Sequence, residues 1–159
     1  ADHPLVVIAS PAHPLARSRR IPLGALAGET FLVREQGSGT RSSMERFFAA
    51  RAFEPRIGNV MNSNETIKQA VMVGMGLALI SRHTIGLELR AGRLAILDVV
   101  GLPLMRRWYV VRRAGRIASP ATTAFVDFVV AESPGLLAEL NSGHAKIAAI
   151  PRGSRAPRS

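Results

Sequence analysis

Short apolar runs alternate along the chain with segments of helical periodicity. The first run, residues 5–9, is uninterrupted and rich in β-branched side chains, which is typical of a strand that is buried on both faces. Five later runs have a similar character. The pattern therefore predicts strands at residues 5–9, 30–34, 56–61, 77–81, 93–99 and 106–113.

The segments after the second and third runs have the periodicity of helices. Met44, Phe47 and Phe48 recur at i, i+3 and i+4, and Ser42 and Glu45 have the spacing of a capping box, so we expect a helix from Ser42. A second helix has an apolar face that ends before two glycines, and its marker residues are Ile67, Ala70, Val71, Gly74 and Gly76.

Two further helices are predicted in the second half of the chain. Residues 82–92 form a short helix that is closed by Gly92. The last helix begins at Ser119 as N-cap with Pro120 in the first turn. Its predicted buried stripe consists of Ala121, Ala124, Phe125, Phe128 and Val129.

Alternation of short apolar strands with helices indicates an α/β fold with a mostly parallel sheet that is covered by helices. In open sheets of this kind, ligands bind at the carboxyl ends of strands, close to helix N-termini. Two strand-to-helix turns of this chain are therefore candidates for a binding site.

The first candidate turn follows residues 30–34. Gly37, Ser38, Gly39 and Thr40 offer backbone N–H groups and two hydroxyls at a helix N-terminus, which is a suitable site for an anion. The turn is neither a P-loop nor a dinucleotide fingerprint, because GxxxxGK[ST] and the third glycine of GxGxxG are absent. The alternative is a turn and a helix cap without a ligand.

Arg41 lies in the first turn of the predicted helix, where a cation opposes the helix dipole unless an anion is nearby. That anion is either the side chain of Glu45, one turn on, or a bound ligand. The second candidate turn offers the same chemistry through Asn62, Ser63 and Asn64. If the two strands are neighbours, both turns face one crevice.

The composition is that of a globular protein. The chain has 159 residues, 47% of them hydrophobic and 20% charged, which suits one domain with or without a tail. No apolar run approaches the roughly 20 residues of a bilayer-spanning helix, and no secretory signal is recognisable. We therefore expect a cytoplasmic protein with no membrane partner.

Metal and cofactor chemistry is not expected from the residue types present. Cysteine is absent, which excludes disulfides and thiolate zinc sites. The four histidines are far apart in sequence, at His3, His13, His83 and His144. We predict no metal site and no cofactor.

The formal net charge of +10 raises the possibility of a nucleic-acid-binding module. Part of the excess lies in residues 141–159, which contain four basic residues and no acidic one. Aromatic residues between the basic ones, which single-strand binding favours, are few. A dispersed arginine-rich surface is the simpler interpretation.

Catalytic arrangements are sparse. No GxSxG elbow or Ser-His-Asp arrangement is recognisable. His83 follows a buried run, so we expect it to line the crevice and contact the ligand, although a structural histidine is the alternative. It is also the one general base that we would name for an α/β enzyme acting on a phosphorylated substrate. Ligand binding without chemistry fits the sequence better.

Four segments, taken in order, resemble the effector-binding region of LysR-type transcriptional regulators, in particular those of the carbon-dioxide-fixation genes of the Calvin cycle. They are "VVIASPAHPLA" (6–16), "FLVREQGSGTRSSMERFF" (31–48), "SNETIKQAVMVGMGLALISRHTIGLEL" (63–89) and "GRLAILDVVGLPLMRRWYVVRR" (92–113). The resemblance covers roughly residues 4–140, in the order that the family has.

The resemblance implies a type 2 periplasmic-binding-protein-like fold of two α/β subdomains joined by crossover strands, with the first subdomain incomplete. Residues 1–15 would be the outgoing crossover strand with a remnant of subdomain I, and 16–106 subdomain II. Residues 107–140 would hold the return strand and the last helix of subdomain I. Residues 141–159 would be a basic, disordered tail.

The resemblance also implies a function and partners. A small anionic metabolite, namely a phosphorylated sugar, an organic acid or a nicotinamide nucleotide, would bind in the cleft and modulate transcription. The chain would form a homo-oligomer, a dimer by analogy, and DNA would be bound only by an N-terminal domain outside this sequence. By position, cleft groups map onto Ser10, Ser38, Thr40, Arg41, Asn62, Ser63 and Asn64.

Overall fold

The computed structural model describes residues 2–113, 115 and 118–145, the last seven of them by their backbone alone. The strands are β1 (Asp2–Ala9), β2 (Thr30–Arg34), β3 (Arg56–Met61), β4 (Ala78–Ser81), β5 (Ala95–Ile96) and β6 (Leu104–Arg107). The α-helices are α1 (Gly39–Ala49), α2 (Asn64–Met72), α3 (Gly86–Arg90) and α4 (Pro120–Ala145). Short 3₁₀ helices occupy Pro14–Arg17, Leu23–Leu26 and Arg82–Thr84.

The α/β class is confirmed, but the prediction of a mostly parallel sheet is wrong. β2 and β3 pair in parallel, and a parallel bridge from Phe31 to Leu77 places β2 beside the start of β4. β1, however, runs antiparallel to β4, β5 and β6. An apolar run that is buried on both faces indicates burial but not strand direction, so the sequence could not give this orientation.

Strand β1 divides the core into two layers. Leu5 and Val7 face a cluster that includes Phe47 and Phe48 of α1. Val6 and Ile8 face the other cluster, which includes Ile67 of α2. This alternation follows from the two-residue period of a strand, and it places α1 and α2 on opposite faces of the sheet.

Helix α1 begins earlier than the predicted start at Ser42. Its first residue is Gly39 and its N-cap is Ser38. The hydroxyl of Ser42 donates to the carbonyl of Ser38 at 3.2 Å, and that of Ser43 donates to the carbonyl of Gly39 at 2.8 Å. The capping box at Ser42 is therefore wrong, because its hydroxyl bonds backward within the helix.

The predicted strand over 106–113 is shorter than expected. β6 ends at Arg107, and pairs with β1 in a register that joins Asp2 to Arg107 and Leu5 to Leu104. Residues 108–113 are exposed and have no regular secondary structure. Within the described part of the chain no strand pairs with them, and an unpaired strand is not stable in water.

Helix α4 starts as predicted, because the Oγ of Ser119 accepts a hydrogen bond from the backbone N of Thr122 at 3.2 Å. Its predicted buried stripe is wrong: Phe125 is 66% exposed and Phe128 is 58% exposed. The helix touches α3 and the 3₁₀ helix Arg82–Thr84, which leaves most of its apolar surface uncovered.

The length of α4 corrects two further expectations. It continues to Ala145, into the predicted tail, and residues 146–159 lie outside the described residues. Its segment Pro120–Ala138 is long and apolar enough to cross a membrane by length and composition alone, contrary to the sequence-based expectation. An apolar helix of a globular domain satisfies the same criterion, so this finding alone does not indicate a membrane protein.

Candidate functional site

The two predicted turns lie at the same edge of the molecule. β2 and β3 are parallel neighbours, and their register joins Arg34 to Met61 at their carboxyl ends. Helices α1 and α2 begin a few residues beyond these ends. The carboxyl ends of parallel strands thus bring both helix N-termini to one edge of the sheet.

Arg34 connects the two turns directly. Its Nη1 donates to the Oδ1 of Asn64 at 2.7 Å, while Nε and Nη2 donate to the carboxylate of Glu35 at 2.7 and 2.8 Å. The hydrogen bonds between Arg34 and Glu35 raise the pKa of Arg34 and lower the pKa of Glu35. The amide oxygen of Asn64 is therefore occupied by the scaffold.

The second turn is capped by its own side chain. Ser63 is the N-cap of α2, and its Oγ accepts from the backbone N of Glu65 at 3.1 Å and of Thr66 at 3.4 Å. Asn62, the residue before it, is exposed. Of the three predicted residues in this turn, Asn62 is the one whose side chain faces solvent.

The first turn is less fully capped. Ser38 makes no side-chain capping bond, although its carbonyl receives both the backbone N and the hydroxyl of Ser42. Ser38 and Thr40 are half-buried. Backbone N–H groups in the first turn of a helix lack intrahelical partners, so this end of α1 retains donors for an anion.

Arg41 pairs with Glu45, which is one of the two anions that the sequence suggested for it. Its Nε donates to the Oε1 of Glu45 at 2.8 Å, and its Nη1 donates to the carbonyl of Arg34 at 3.1 Å. The side chain is only 13% exposed. The arginine that the sequence singles out therefore binds its own helix and the preceding strand.

Ser10 lies away from these groups, so its assignment to the same cleft is wrong. β1 is antiparallel to β4, with Leu5 opposite Ser81 and Ile8 opposite Ala78. Ser10 follows the far end of β1, at the edge of the sheet opposite the helix N-termini. Ser10 was misplaced because the sequence does not reveal that β1 runs antiparallel to its neighbours.

His83 lies in a small aromatic cluster at the carboxyl edge. Its Nε2 lies 3.1 Å from the carbonyl oxygen of Asp2 and donates to it. The ring centroids of His83 and Trp108 are 5.5 Å apart, and those of His3 and Trp108 are 4.4 Å apart. The Nε2 of His83 is thus engaged with backbone, while its Nδ1 is buried and has no hydrogen-bond partner among the described residues.

Arg106 belongs to this edge and was not among the predicted residues. It lies on β6 directly opposite His3. Its Nη2 is 3.2 Å from the position that a Cβ on Gly39 would occupy, so the guanidinium lies against the first residue of α1. Its Nη1 is buried and has no hydrogen-bond partner among the described residues.

The electrostatics of this edge favour an anion. The guanidinium of Arg106 and the positive end of the α1 dipole lie together. No carboxylate of a described residue lies within ion-pairing distance of Arg106. We name this group of Arg106, Gly39 and Ser38 the arginine site.

A cavity lies elsewhere, between α1 and β3. It has a volume of about 730 Å³ and is lined by Met44, Glu45, Phe48, Ala49, Ala52, Phe53, Glu54, Pro55 and Ile57. None of the predicted site residues lines it. Its apolar and acidic lining disfavours an anion, so its size does not outweigh the chemistry of the arginine site.

The described residues contain no group of three or more His, Asp or Glu side chains that could hold a metal ion. The donors at the arginine site are cationic or backbone N–H groups, which repel a metal cation. The arrangement can therefore bind and orient an anion.

Comparisons with known proteins identify the family of the chain. Residues 1–134 match the model of the LysR substrate binding domain. The RuBisCO operon transcriptional regulator of Allochromatium vinosum is 55% identical over 132 residues, which cover 83% of this chain and 44% of that protein. The HTH-type transcriptional regulator CbbR of Rhizobium meliloti (strain 1021) is 52% identical over 131 residues, covering 82% of this chain and 42% of that protein.

A solved structure is also similar along most of the chain. The regulatory domain of Synechocystis PCC6803 CcmR, in complex with 2-PG, has a TM-score of 0.78 and 44% identity, covering 82% of this chain and 62% of that chain. The effector-binding domain of QuiR in complex with shikimate has a TM-score of 0.70 and 25% identity, covering 80% of this chain and 59% of that chain. The chain spans less than half the length of the curated regulators named above. It belongs to the LysR substrate-binding domain family.

Proposed function

We propose that this chain is the effector-sensing part of a transcription regulator, and that it binds a small anionic metabolite at the arginine site. The observation on which this rests most is the buried, unpartnered Nη1 of Arg106 beside the N-terminus of α1. A buried guanidinium N–H without a partner is costly, and an anion would provide the missing acceptor. A phosphorylated acid or sugar has enough acceptor atoms for both Arg106 and the helix N–H groups.

Three of the sequence-predicted residues remain candidates for the same ligand. The hydroxyls of Ser38 and Thr40 lie at the start of α1, and the amide of Asn62 lies at the neighbouring turn. Asn64 and Ser63 would act indirectly, by holding that turn in place. The similarity to a regulatory domain in complex with 2-PG supports a phosphorylated acid over a neutral ligand.

Binding would act by shifting a population of conformations. Arg106 is on β6, whereas Gly39 is on α1, so an anion that contacts both would bridge β6 and α1. From the resemblance we propose that residues 1–15 hold the outgoing crossover strand and that residues 16–106 form subdomain II. The segment 107–140 would then belong to subdomain I.

The partners in this proposal follow from the relatives, which are named as transcriptional regulators. DNA would be bound by a part of the protein outside this chain, in the bacterial cytoplasm. The sensing domain would pair with a second copy. Sedimentation equilibrium of the 159-residue chain should give twice the monomer mass, and a monomer at all concentrations would contradict the dimer.

Titration with 2-phosphoglycolate tests the anion site. Calorimetry of the wild-type chain should give saturable binding, and a ligand at about 100 times its dissociation constant should raise the free energy of unfolding by about 2.7 kcal/mol. R106Q should weaken binding by about ten- to a hundredfold, because a charge-assisted hydrogen bond contributes about 1.5–3 kcal/mol.

Arg107 provides the matched control. It is the exposed neighbour of Arg106 on the same strand, and alternation directs its side chain to the other face of the sheet. R107Q removes the same charge and should bind the ligand as the wild type does. Equal losses in both variants would indicate a diffuse charge effect and contradict the site.

A further inference from the structure

His3 is a buried histidine whose ring nitrogens lack partners. It is 6% exposed, and neither Nδ1 nor Nε2 has a hydrogen-bond partner among the residues that the structure describes. Its ring packs against Trp108 at 4.4 Å and stacks on His83 at 5.9 Å, measured between centroids. Leaving a buried polar atom unpaired costs about 1–3 kcal/mol, so such a ring requires an explanation.

The position of His3 gives that explanation. It lies directly opposite Arg106 in the β1–β6 ladder, so the two side chains are on the same face of the sheet. That face includes the N-terminus of α1, against which the guanidinium of Arg106 lies. Two side chains with buried, unpartnered nitrogens thus lie opposite each other on paired strands, on the same face of the sheet.

The charges around His3 all disfavour its protonation. The titratable groups that face it are Arg106 on β6 and His83 on the 3₁₀ helix Arg82–Thr84, and no acidic side chain contributes. Burial, the charge of Arg106 and that of His83, in this order, lower the pKa of His3 to about 4. Without a ligand, the ring is therefore neutral near pH 7.

We infer that His3 is a ligand-contacting residue of the arginine site and takes up a proton when an anion binds between its ring and Arg106. This inference rests on the proposed anion site. The anion supplies an acceptor for a ring N–H, and its charge offsets that of Arg106, so the imidazolium becomes the favoured form. The site thereby gains a second cation only when the ligand is present.

The sign of the pH dependence follows from linkage. The ligand raises the pKa of His3 above its unliganded value of about 4. Affinity should rise as the pH falls from the liganded pKa toward 4, by at most about tenfold per pH unit for one proton. Below pH 4 the dependence on His3 should vanish, because both states are then protonated.

Proton uptake on binding is the direct test. Calorimetric titrations of sulfate, whose charge is constant in this range, are run near pH 5.5 in two buffers with different ionisation enthalpies. The wild-type chain should take up a substantial fraction of one proton, and H3Q should bind sulfate with no uptake. H13Q is the matched control, because His13 pairs with Glu29 in another part of the molecule, and it should retain the uptake.

Each outcome is decisive. Uptake that persists in H3Q would assign the proton to another group and overturn the inference. Binding to the wild type without uptake would overturn it and leave the anion site intact. Failure of both sulfate and 2-phosphoglycolate to bind the wild type would remove the anion site and the inference together.

A second measurement covers the case in which H3Q does not fold. The ring proton resonances of the four histidines in the wild-type chain are followed by NMR against pH, with assignments from H13Q, H83Q and H144Q. Addition of sulfate should shift the titration of His3 to higher pH. An unchanged titration of His3 under saturating sulfate would contradict the inference.

Discussion

Gly39 is the residue at which backbone, helix dipole and cation come together. A Cβ at this position would lie 3.2 Å from the Nη2 of Arg106, and the guanidinium would have to move by a few tenths of an ångström. Elsewhere in a helix, exchange of Gly for Ala stabilises by up to about 1 kcal/mol. The glycine thus provides space for Arg106.

We predict that G39A separates stability from binding. The variant should unfold at the same temperature as the wild type or higher, because Ala favours the helix, and it should bind 2-phosphoglycolate several-fold more weakly. Thermal unfolding and calorimetry measure the two effects. G28A is the control, since a Cβ on Gly28 meets nothing within 4 Å, and unchanged affinity in G39A would contradict the role of the glycine.

The two arginines near α1 illustrate what single residues do and do not disclose. Arg41 is conspicuous in the sequence because it opposes the dipole of its own helix, yet Glu45 pairs with it one turn away. Arg106 reaches the same helix end only through the pairing of β6 with β1. A non-local contact of this kind has no local sequence pattern, so the residue was missed.

At the scale of elements, α2 is joined to α3 by a buried ion pair. The side chain of Lys68 is 5% exposed, and its Nζ lies 2.8 Å from Glu88, 2.7 Å from Glu65 and 3.0 Å from the carbonyl of Thr84. Burial alone would raise the pKa of Glu88, but the hydrogen bond and charge of Lys68 lower it overall. The pair therefore stabilises the packing of two helices.

We predict that E88Q lowers the free energy of unfolding at pH 7 by about 1–3 kcal/mol, because it weakens the partner of a buried ammonium. Since the folded pKa of Glu88 is lowered, its contribution is present above the unfolded value of 4.5 and is lost as the pH falls through the folded value. The difference between wild type and E88Q should therefore shrink below pH 4.5 in urea unfolding. The titration of His3 contributes equally to the wild type and to E88Q, so it does not affect the difference between their free energies of unfolding.

Glu65 is the internal control for this prediction. It bonds to the same Nζ, but its side chain is 70% exposed. An exposed ion pair contributes little, so E65Q should cost less than about 1 kcal/mol. A larger loss in E65Q than in E88Q would contradict the assignment of the stabilising partner.

The elements themselves were largely predictable, and their directions were not. The apolar periodicity of Ile67, Ala70 and Val71 correctly predicted the position of α2. The strands β2, β3 and β4 lie at the predicted apolar runs. The start of α1 was misplaced because two serines, Ser38 and Ser42, are both suitable caps. The direction of β1 depends on which strands pair with it, and that information is not local.

At the scale of the whole molecule, the resemblance gave more than the pattern alone. The ordered match of four segments identified a LysR effector-binding region, and the family is confirmed over residues 1–134. The exposed apolar face of α4 could not be predicted, because periodicity reveals an apolar stripe but not whether another element covers it. The two predicted turns lie at one edge of the sheet, whereas Ser10 follows the end of β1 at the other edge.

A crystal structure of the chain with 2-phosphoglycolate tests the central claim most directly. We predict that the phosphate lies within about 2.7–3.1 Å of the Nη1 of Arg106 and of a backbone N–H in the first turn of α1. A phosphate bound elsewhere, for example at the cavity lined by Met44, Phe48 and Phe53, or no bound ligand at millimolar concentration, would contradict the account.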